Sequence, residues 1–154
     1  MVLVLIRHGQ SEWNKDNKFT GWTEVPLTKT GEQEGIEAGK LLSQYKFSSA
    51  FVSSMKRART TFECVIGQQI ENVCRDVKFA DELKERDYGD LTGKNKQSIA
   101  EEYGEEKLHL WRRSYATAPP QGESLADVRK RAGEFYDAFI APDIKENKDI
   151  LVVA

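Results

Sequence analysis

The first residues of the chain, VLVLI at positions 2–6, are apolar without interruption and mostly β-branched. A run of this kind, with no polar residue on either face, predicts a strand buried on both sides, as in a parallel sheet. Similar short runs at residues 49–53, 77–79 and 149–154 predict three further strands. The chain is therefore expected to build a mainly parallel sheet.

Two stretches between these strands repeat apolar residues at three- and four-residue steps, which is typical of amphipathic helices. The first covers residues 55–69, and Ser54 is its expected N-cap. The second covers residues 125–139, where Ser124 and Asp127 predict a start resembling a capping box. Both helices are expected to pack their apolar stripes on the sheet.

Proline and glycine modify these helical predictions. Pro142 is expected to end the second helix, because proline cannot continue a helix interior. A weaker helix is predicted over 28–45, where Gly31, Gly35 and Gly39 dilute the pattern. Strands that alternate with helices predict an α/β three-layer sandwich with a mainly parallel central sheet flanked by helices.

Residues 83–120 are rich in charged and aromatic side chains and are predicted to leave the sheet. In open α/β sheets the ligand crevice lies beyond the carboxyl ends of the strands, so this segment is expected to form one wall of it. Leu108, Trp111 and Tyr115 share a predicted helix face, which favours packing over ligand binding. His109 is expected on the surface.

The charge balance excludes some classes of partner. With 23 basic and 25 acidic residues, the net charge of −2 gives no sign of a nucleic-acid or membrane partner, so anion binding must come from locally clustered arginines. The apolar start stops at Arg7, too short for a signal peptide, and no stretch approaches a membrane span. A cytoplasmic location is expected, with Cys64 and Cys74 as inert thiols.

The last apolar run, residues 149–154, stops without a turn, a cap or a polar tail. A buried parallel strand needs neighbours and a continuation that covers its edge. We therefore expect the natural protein to continue past Ala154. Residues 1–154 are accordingly interpreted as a single domain whose C-terminal part is missing, truncated at the C-terminus.

Arg7, His8 and Gly9 follow the first predicted strand. The strand fixes the imidazole, the glycine lets the backbone turn closely, and the guanidinium offers a forked donor to phosphate oxygens. A cationic neighbour also disfavours the imidazolium, which keeps one ring nitrogen unprotonated for attack. These three residues alone are weak evidence, because a histidine beside a strand is more often structural.

The longer run, LIRHGQSEWN at 5–14 followed by FTGW at 19–22, carries more information. It resembles the signature of cofactor-dependent phosphoglycerate mutases, a family of the histidine phosphatase superfamily. Later segments resemble that family in the same order: SMKRA at 54–58, LKERDYG at 83–89, GKNK at 93–96, YGE at 103–105, LWRRSY at 110–115 and PPQGESL at 119–125. Asp87 departs from the aromatic or amide residue common in the family, and the short PP-to-ESL connection resembles the compact bacterial enzymes.

The resemblance implies roles for four catalytic residues. His8 accepts the phosphoryl group, and Arg7 and Arg57 neutralise the charge on its oxygens. Arg57 is expected near a helix start, which itself favours an anion. Glu85 is the general acid and base, and burial beside a phosphate dianion should favour the protonated form of its carboxyl.

The resemblance also implies how a small phosphorylated hydroxy acid binds. Tyr88, Lys96, Arg112 and Arg113 match contacts to its carboxylate and to a second phosphate. Consecutive arginines on a helix point about 100° apart, so one of the two is alternatively a structural ion pair. The implied substrate-binding residues are Gly9, Gln10, Ser11, Asn14, Thr20, Gly21, Arg86, Tyr88, Lys96, Arg112 and Arg113.

The implied activity is the interconversion of 3-phosphoglycerate and 2-phosphoglycerate in glycolysis and gluconeogenesis. It runs through a phosphohistidine and a 2,3-bisphosphoglycerate intermediate, with free 2,3-bisphosphoglycerate as the priming donor. No metal is expected, because no cluster of Asp, His or Cys has metal-ligand spacing. Family members are often dimers or tetramers, so a homodimer or homotetramer is implied.

One departure leaves alternatives open. The family has a second histidine, in a His-Gly-Asn-Ser stretch, that faces the first, and this chain ends where that stretch should begin. Loss of such a preorganised donor typically lowers turnover by about 10²–10³-fold, so the 154-residue chain is expected to be impaired. The alternatives are a related phosphatase that hydrolyses the phosphohistidine, and a catalytically inactive binding or regulatory protein.

Overall fold

The computed structural model of the protein describes residues 1–70, 74 and 76–154. The strands β1 to β4 are Leu3–Ile6, Ser49–Ser53, Asp76–Ala80 and Ile150–Val153. The helices α1 to α7 are Glu12–Lys15, Lys29–Leu41, Lys56–Ile66, Lys96–Tyr103, Glu105–Arg113, Leu125–Phe135 and Ala141–Lys145. Single 3-10 turns cover Asp81–Leu83 and Gly89–Leu91, and a π-helical stretch covers Tyr136–Ile140.

The four described strands form one sheet in the order β1-β4-β2-β3. Each neighbouring pair is parallel, which confirms the predicted parallel sheet. β2 and β4 lie in the centre and are buried at every position. The prediction that residues 2–6 are buried on both faces was wrong, because β1 is an edge strand and its Leu3 and Leu5 are exposed. Because parallel strands end at the same edge, the residues that follow β1, β2 and β3 meet there.

Helices cover the sheet on both faces. On one face α2 and α3 close a core of Phe47, Ala50, Val52, Ala58, Phe62, Val65, Leu151 and Val153. On the other face α6 and the π-helical stretch close a second core of Phe51, Ala80, Phe135, Ile140, Ile150 and Val152. This arrangement confirms the predicted α/β three-layer sandwich.

The glycines of α2 explain how closely this helix approaches its neighbours. Gly31, Gly35 and Gly39 are its buried residues and lie on one face. A Cβ atom on Gly31 would lie 2.2 Å from the backbone oxygen of Gln10, and one on Gly39 would lie 2.6 Å from that of Val65. The glycines that weaken the sequence pattern therefore provide the contact surface, although the helix ends at Leu41 and not at position 45.

The segment 83–120 forms a separate lobe at the edge where the strands end. Its core consists of Leu91, Ile99, Leu108 and Trp111 together with Phe19 from the loop after α1. The predicted packing role of Leu108 and Trp111 is thus confirmed, and His109 is exposed as expected. For Tyr115 the prediction was wrong, because α5 ends at Arg113 and the tyrosine side chain is 54% exposed.

The start of α3 differs from its prediction. Met55, and not Ser54, is the N-cap residue, and it makes no side-chain cap. The hydroxyl of Ser54 donates instead to the carboxylate of Asp81. The backbone N–H of Lys56 donates to a carboxylate oxygen of Glu24 at 2.8 Å, so a residue distant in sequence supplies the capping acceptor.

The region around α6 confirms one prediction and corrects another. Ser124 and Asp127 form the predicted capping box. Pro142 does not end the helix, because the chain continues through the π-helical stretch and the proline lies in the first turn of α7. Ile140 and Ala141 have helical backbone angles, so the chain remains helical into the proline.

The thiols and the helices can be compared with the expectations about cellular environment. Cys64 and Cys74 are free thiols. Burial raises the pKa of Cys64 and raises that of Cys74 to about 11, so both remain protonated and weakly nucleophilic at neutral pH. Within the described part of the chain, no helix combines the length and the apolar character that crossing a bilayer requires.

Candidate active site

The sheet edge fixes the backbone of His8. His8 is the second residue after β1, and its N–H donates to the carbonyl of Ala154 at 2.8 Å. The next residue, Gly9, donates its N–H to the hydroxyl of Thr61 in α3 at 3.0 Å. A Cβ on Gly9 would lie 2.2 Å from the carbonyl oxygen of Gly31, so only glycine fits between β1 and α2.

The partners of the His8 ring define its tautomer. Nε2 lies 3.2 Å from Nε of Arg57, and a guanidinium can only donate, so Nε2 must be the unprotonated acceptor. Nδ1 lies 2.7 Å from the carbonyl oxygen of Gly9 and must therefore carry the proton. The lone pair on Nε2 of the neutral imidazole thus points towards the guanidinium group. A phosphoryl group bound by this guanidinium would lie next to the nucleophilic nitrogen.

The electrostatics keep this imidazole neutral. Burial, and to a smaller extent the charges of Arg57 and Arg7, lower the pKa of His8 to about 4, outweighing the bond to the Gly9 carbonyl. The prediction that a cationic neighbour disfavours the imidazolium therefore has the right direction, although burial is the larger cause. At neutral pH His8 is available as a base and nucleophile.

Arg57 connects the nucleophile with the predicted acid–base residue. It lies in the first turn of α3, as expected, and is 1% exposed. Its Nη2 donates to the Glu85 carboxylate at 3.0 Å and to the Gly21 carbonyl at 2.8 Å, and its Nη1 donates to the Thr23 carbonyl at 3.1 Å. Such a fully held guanidinium is a preorganised donor for an anion.

Glu85 lies in the loop between the two 3-10 turns and faces the same space as His8. Its side chain is 31% exposed, and Oε2 pairs with Arg57. One guanidinium therefore contacts both the nucleophilic nitrogen and the carboxylate, which places a nucleophile, a cation and an acid–base group within one cluster.

A cavity of about 310 Å³ opens beside this cluster and brings together eight of the predicted site residues. Its lining consists of Arg7, Asn14, Lys18, Phe19, Thr20, Glu85, Tyr88, Lys96, Arg112 and Arg113. Five of these ten side chains are cationic, so the cavity suits a ligand with several negative charges. The buried hydroxyl of Thr20 has no protein partner in the described residues, which leaves it free to contact a ligand.

Burial and neighbouring charges alter two cavity residues. Burial and the charge of Glu85 raise the pKa of Tyr88, so its hydroxyl remains a hydrogen-bond donor at neutral pH. Burial and Arg112 lower the pKa of Lys96, which shows that cations crowd together here. Within the described residues neither Arg112 nor Arg113 makes an ion pair, and both line the cavity, which argues against the structural alternative for either.

The remaining predicted substrate residues support the cavity without lining it. The Ser11 hydroxyl caps α1, and the Gln10 side chain accepts from Thr28. Gly9 and Gly21 offer carbonyls to His8 and Arg57. Arg86 is buried, donates to the carbonyl of Arg112 and lies over the ring of Tyr88. Direct substrate contact by these five residues stays a prediction.

Sequence reasoning missed several residues of the site. Lys18 lines the cavity, but nothing in its spacing distinguishes it from a surface lysine. Thr61 is visible only as a polar residue on the buried face of α3. Trp22 donates to the Glu85 carbonyl at 2.8 Å, and Arg131 donates to the same carbonyl at 3.1 Å. Their acceptors are backbone atoms, which leave no signal in a sequence.

Metal ligands are a separate question. Over residues 1–70, 74 and 76–154, no group of three or more His, Cys, Asp and Glu side chains is arranged to hold a metal ion. The independence of the reaction from metal stays a prediction.

Comparison with known protein families gives one match that spans almost the whole chain. Residues 3–154 match the profile described as histidine phosphatase superfamily, branch 1. Two relatives named 2,3-bisphosphoglycerate-dependent phosphoglycerate mutase, from Cytophaga hutchinsonii and Bartonella bacilliformis, are each 45% identical. The aligned parts cover 99% of this chain in both cases and 71% and 75% of the respective relatives.

Solved structures with the same fold include enzymes with other names. A mycobacterial glucosyl-3-phosphoglycerate phosphatase is 25% identical with a TM-score of 0.82, over 99% of this chain and 74% of that one. The Bacillus stearothermophilus protein YhfR is 29% identical with a TM-score of 0.83, over 99% and 73% of the two chains. The chain is thus similar in sequence to proteins named as mutases and similar in fold to a protein named as a phosphatase.

Proposed function

Because the chain belongs to the histidine phosphatase superfamily, we propose that it is a 2,3-bisphosphoglycerate-dependent phosphoglycerate mutase. It interconverts 3-phosphoglycerate and 2-phosphoglycerate, a step of glycolysis and gluconeogenesis, and works in the cytoplasm. One observation carries the proposal: unprotonated Nε2 of His8 and the carboxylate of Glu85 share the guanidinium of Arg57 beside a cationic cavity. The mutase names of relatives at 45% identity support it.

Phosphoryl transfer uses the four catalytic residues in turn. The lone pair of His8 Nε2 forms an N–P bond while the bond from phosphorus to the substrate oxygen breaks, and Glu85 gives its proton to that oxygen. Arg57 and Arg7 neutralise charge on the three phosphoryl oxygens. In the return step Glu85 takes the proton from the hydroxyl that receives the phosphoryl group, so no proton is gained or lost overall.

The cavity fits the phosphorylated hydroxy acids that this reaction requires. Lys96, Arg112 and Arg113 line the cavity and suit the carboxylate and the non-reacting phosphate, and Thr20 and Asn14 line it with them. When bound, 2,3-bisphosphoglycerate supplies the phosphoryl group that primes His8. Guanidinium groups supply the positive charge in this scheme, so it runs without a metal ion. We also propose a homodimer or homotetramer, as in the family.

A phosphatase is the second candidate, because solved structures of the same fold carry phosphatase names. A phosphatase would pass the phosphoryl group from His8 to water. The cations around the cavity disfavour this outcome, since they hold a bisphosphorylated intermediate for return transfer. The mutase and the phosphatase differ in whether the bound intermediate or a water molecule accepts the phosphoryl group from His8.

A coupled assay on the full-length protein separates the candidates. With 3-phosphoglycerate and catalytic 2,3-bisphosphoglycerate, the mutase forms 2-phosphoglycerate much faster than it releases phosphate. Phosphate release without 2-phosphoglycerate would support the phosphatase. Loss of both activities, together with an open reading frame that stops after codon 154, would support the inactive binding protein.

A further inference from the structure

The loop that carries Glu85 has no regular backbone pairing of its own. Glu85 lies between the 3-10 turns Asp81–Leu83 and Gly89–Leu91, and no helix or strand fixes its backbone. Buried backbone carbonyls require partners, and a loop without them moves. An acid–base group has to be held within a fraction of an ångström of its productive position, so this loop needs an external support.

Arg131 in α6 provides that support through the backbone. Its Nη1 donates to the carbonyl of Glu82 at 2.6 Å, and its Nη2 donates to the carbonyl of Glu85 at 3.1 Å. Trp22 donates to the second lone pair of the Glu85 carbonyl at 2.8 Å. The carbonyl of the acid–base residue is thus held by donors from two separate parts of the chain.

Glu123 fixes Arg131 and the far end of the loop. Its carboxylate accepts from Nε and Nη2 of Arg131, both at 2.9 Å, and from the N–H of Asp87 at 2.9 Å. The N–H of Glu123 returns a bond to the carbonyl of Asp87 at 2.9 Å. Burial favours the neutral acid, but the bonds from Arg131 and Asp87 outweigh it and lower the pKa of Glu123. The fork-to-carboxylate pair is therefore charged at neutral pH.

The contacts of Arg131 indicate that it supports the loop. It lines a second cavity of about 300 Å³ together with Arg7, His8 and Glu85, and it is not among the residues of the cationic cavity. All three of its nitrogen atoms already donate to protein acceptors. These bonds hold the two loop carbonyls and the Glu123 carboxylate in place.

We propose that Arg131, aligned by Glu123, is a positioning residue that holds the backbone of Glu85 so that its carboxyl meets the transferred phosphoryl group. The proposal rests on the proposed function, in which Glu85 is the acid and base. Loss of Arg131 removes the side-chain donor to the Glu82 carbonyl and leaves the Glu85 carbonyl with Trp22 as its donor, which lets the loop shift. The proton transfer then slows, while the cationic cavity keeps its residues.

A double-mutant cycle tests this role in the full-length protein. The rate at which labelled 2,3-bisphosphoglycerate phosphorylates His8 is measured in single turnovers for Arg131→Met, Glu85→Gln and the double variant. We expect Arg131→Met to lower the rate about 10²-fold, and the double variant to be no slower than Glu85→Gln. Affinity for 3-phosphoglycerate should change less than about threefold, which a general loss of structure would not allow.

Two further variants keep the test decisive if Arg131→Met folds poorly. Arg131→Lys keeps the charge but cannot form the fork, so we expect a loss of about tenfold. Trp22→Phe removes the indole N–H, which is the other donor to the Glu85 carbonyl, and keeps an aromatic ring at this position. Arg129→Met is the matched control, because Arg129 lies on the exposed side of the same helix, where Nη1 contacts only the Tyr115 hydroxyl at 3.4 Å.

The possible outcomes distinguish failure of the positioning role of Arg131 from failure of the proposed function. The positioning role would be overturned if the rate losses of the two single variants multiply in the double variant, or if Arg131→Met is as fast as the wild type. Either result would leave the mutase assignment intact. A wild-type protein that takes no label on His8 would contradict the proposed function itself.

Discussion

At the scale of single residues, the reactivity of His8 follows from how its two ring nitrogens are partnered. A guanidinium on one side and a carbonyl on the other permit only the neutral ring with its proton on Nδ1. A protonated ring would set its own N–H against that of Arg57. Burial adds to this preference, because a charged ring would lose its hydration.

This arrangement predicts an acid-sensitive stability. The pKa of His8 is lowered from 6.5 to about 4, so between these values the unfolded chain binds the proton and the folded chain does not. The contribution of His8 is complete above pH 6.5 and is lost as the pH falls towards about 4. We expect His8→Asn to remove up to about 3 kcal/mol of pH dependence in the free energy of unfolding over this range. Urea unfolding of both proteins measures it, and parallel curves would refute it.

Glu85 gives a second prediction at this scale. Glu85→Gln keeps an oxygen that accepts from Arg57 but has no proton to give or take at neutral pH. We expect kcat to fall about 10²–10⁴-fold while the affinity for 3-phosphoglycerate is nearly unchanged. Steady-state kinetics with a direct binding measurement checks this, and unchanged turnover would remove Glu85 from the acid–base role.

At the scale of elements, the close approach of α2 to the loop after β1 fixes the site. Gly31 touches the backbone of Gln10, and Gly9 touches that of Gly31. The carbonyl of Gly9 in turn holds Nδ1 of His8. The packing of a helix against a loop is thus transmitted to the nucleophile by one hydrogen bond.

A pair of helical glycines tests this contact. In Gly31→Ala the new Cβ would lie 2.2 Å from the Gln10 oxygen, so the backbone must move, and we expect a loss of about 2 kcal/mol in stability. Among the described residues, no atom lies within 4 Å of the Cβ position of Gly133 in α6. Gly133→Ala should therefore stabilise by about 0.5–1 kcal/mol. Chemical denaturation measures both, and equal effects would show that the contact is not tight.

The sequence predicts the strands better than the ends of the helices, for a physical reason. The four strands follow from local apolar runs, and the Ser124 cap follows from a residue three positions away. The cap of α3 comes instead from Glu24, 32 residues distant, which no local pattern contains. Tyr115 was misplaced because the helical period was extended past the observed end of α5 at Arg113.

The same difference between local sequence patterns and contacts of distant residues applies to the candidate active site. Nine of the ten side chains that line the cationic cavity, all except Lys18, belong to recognisable motifs, and all of the predicted catalytic residues cluster around Arg57. The supports from Arg131 and Trp22 act on backbone carbonyls. Tertiary folding alone brings those atoms together, so sequence reasoning could not identify them.

At the scale of the whole molecule, charge is distributed unevenly. The net charge is only −2, yet the cavity collects Arg7, Lys18, Lys96, Arg112 and Arg113. A bulk field therefore cannot attract an anionic substrate, and affinity must come from this local cluster. Lys18 and Lys96 are partly buried, so these two should contribute more than an isolated surface charge.

Two neighbouring lysines test that conclusion. Lys96 lines the cavity, whereas Lys94 is exposed and does not. We expect Lys96→Met to weaken binding of 3-phosphoglycerate about tenfold, equivalent to about 1.4 kcal/mol, and Lys94→Met to leave it nearly unchanged. Isothermal titration at constant ionic strength compares the two. Similar losses in both variants would indicate a diffuse charge effect and not a local site.

The identity of the residue that carries the phosphoryl group tests the central claim most directly. Full-length protein is incubated with labelled 2,3-bisphosphoglycerate, quenched at alkaline pH, and the acid-labile phosphate is mapped by peptide. The account predicts label on His8, lost in His8→Asn. Label on any other residue, or no label at all, would contradict it.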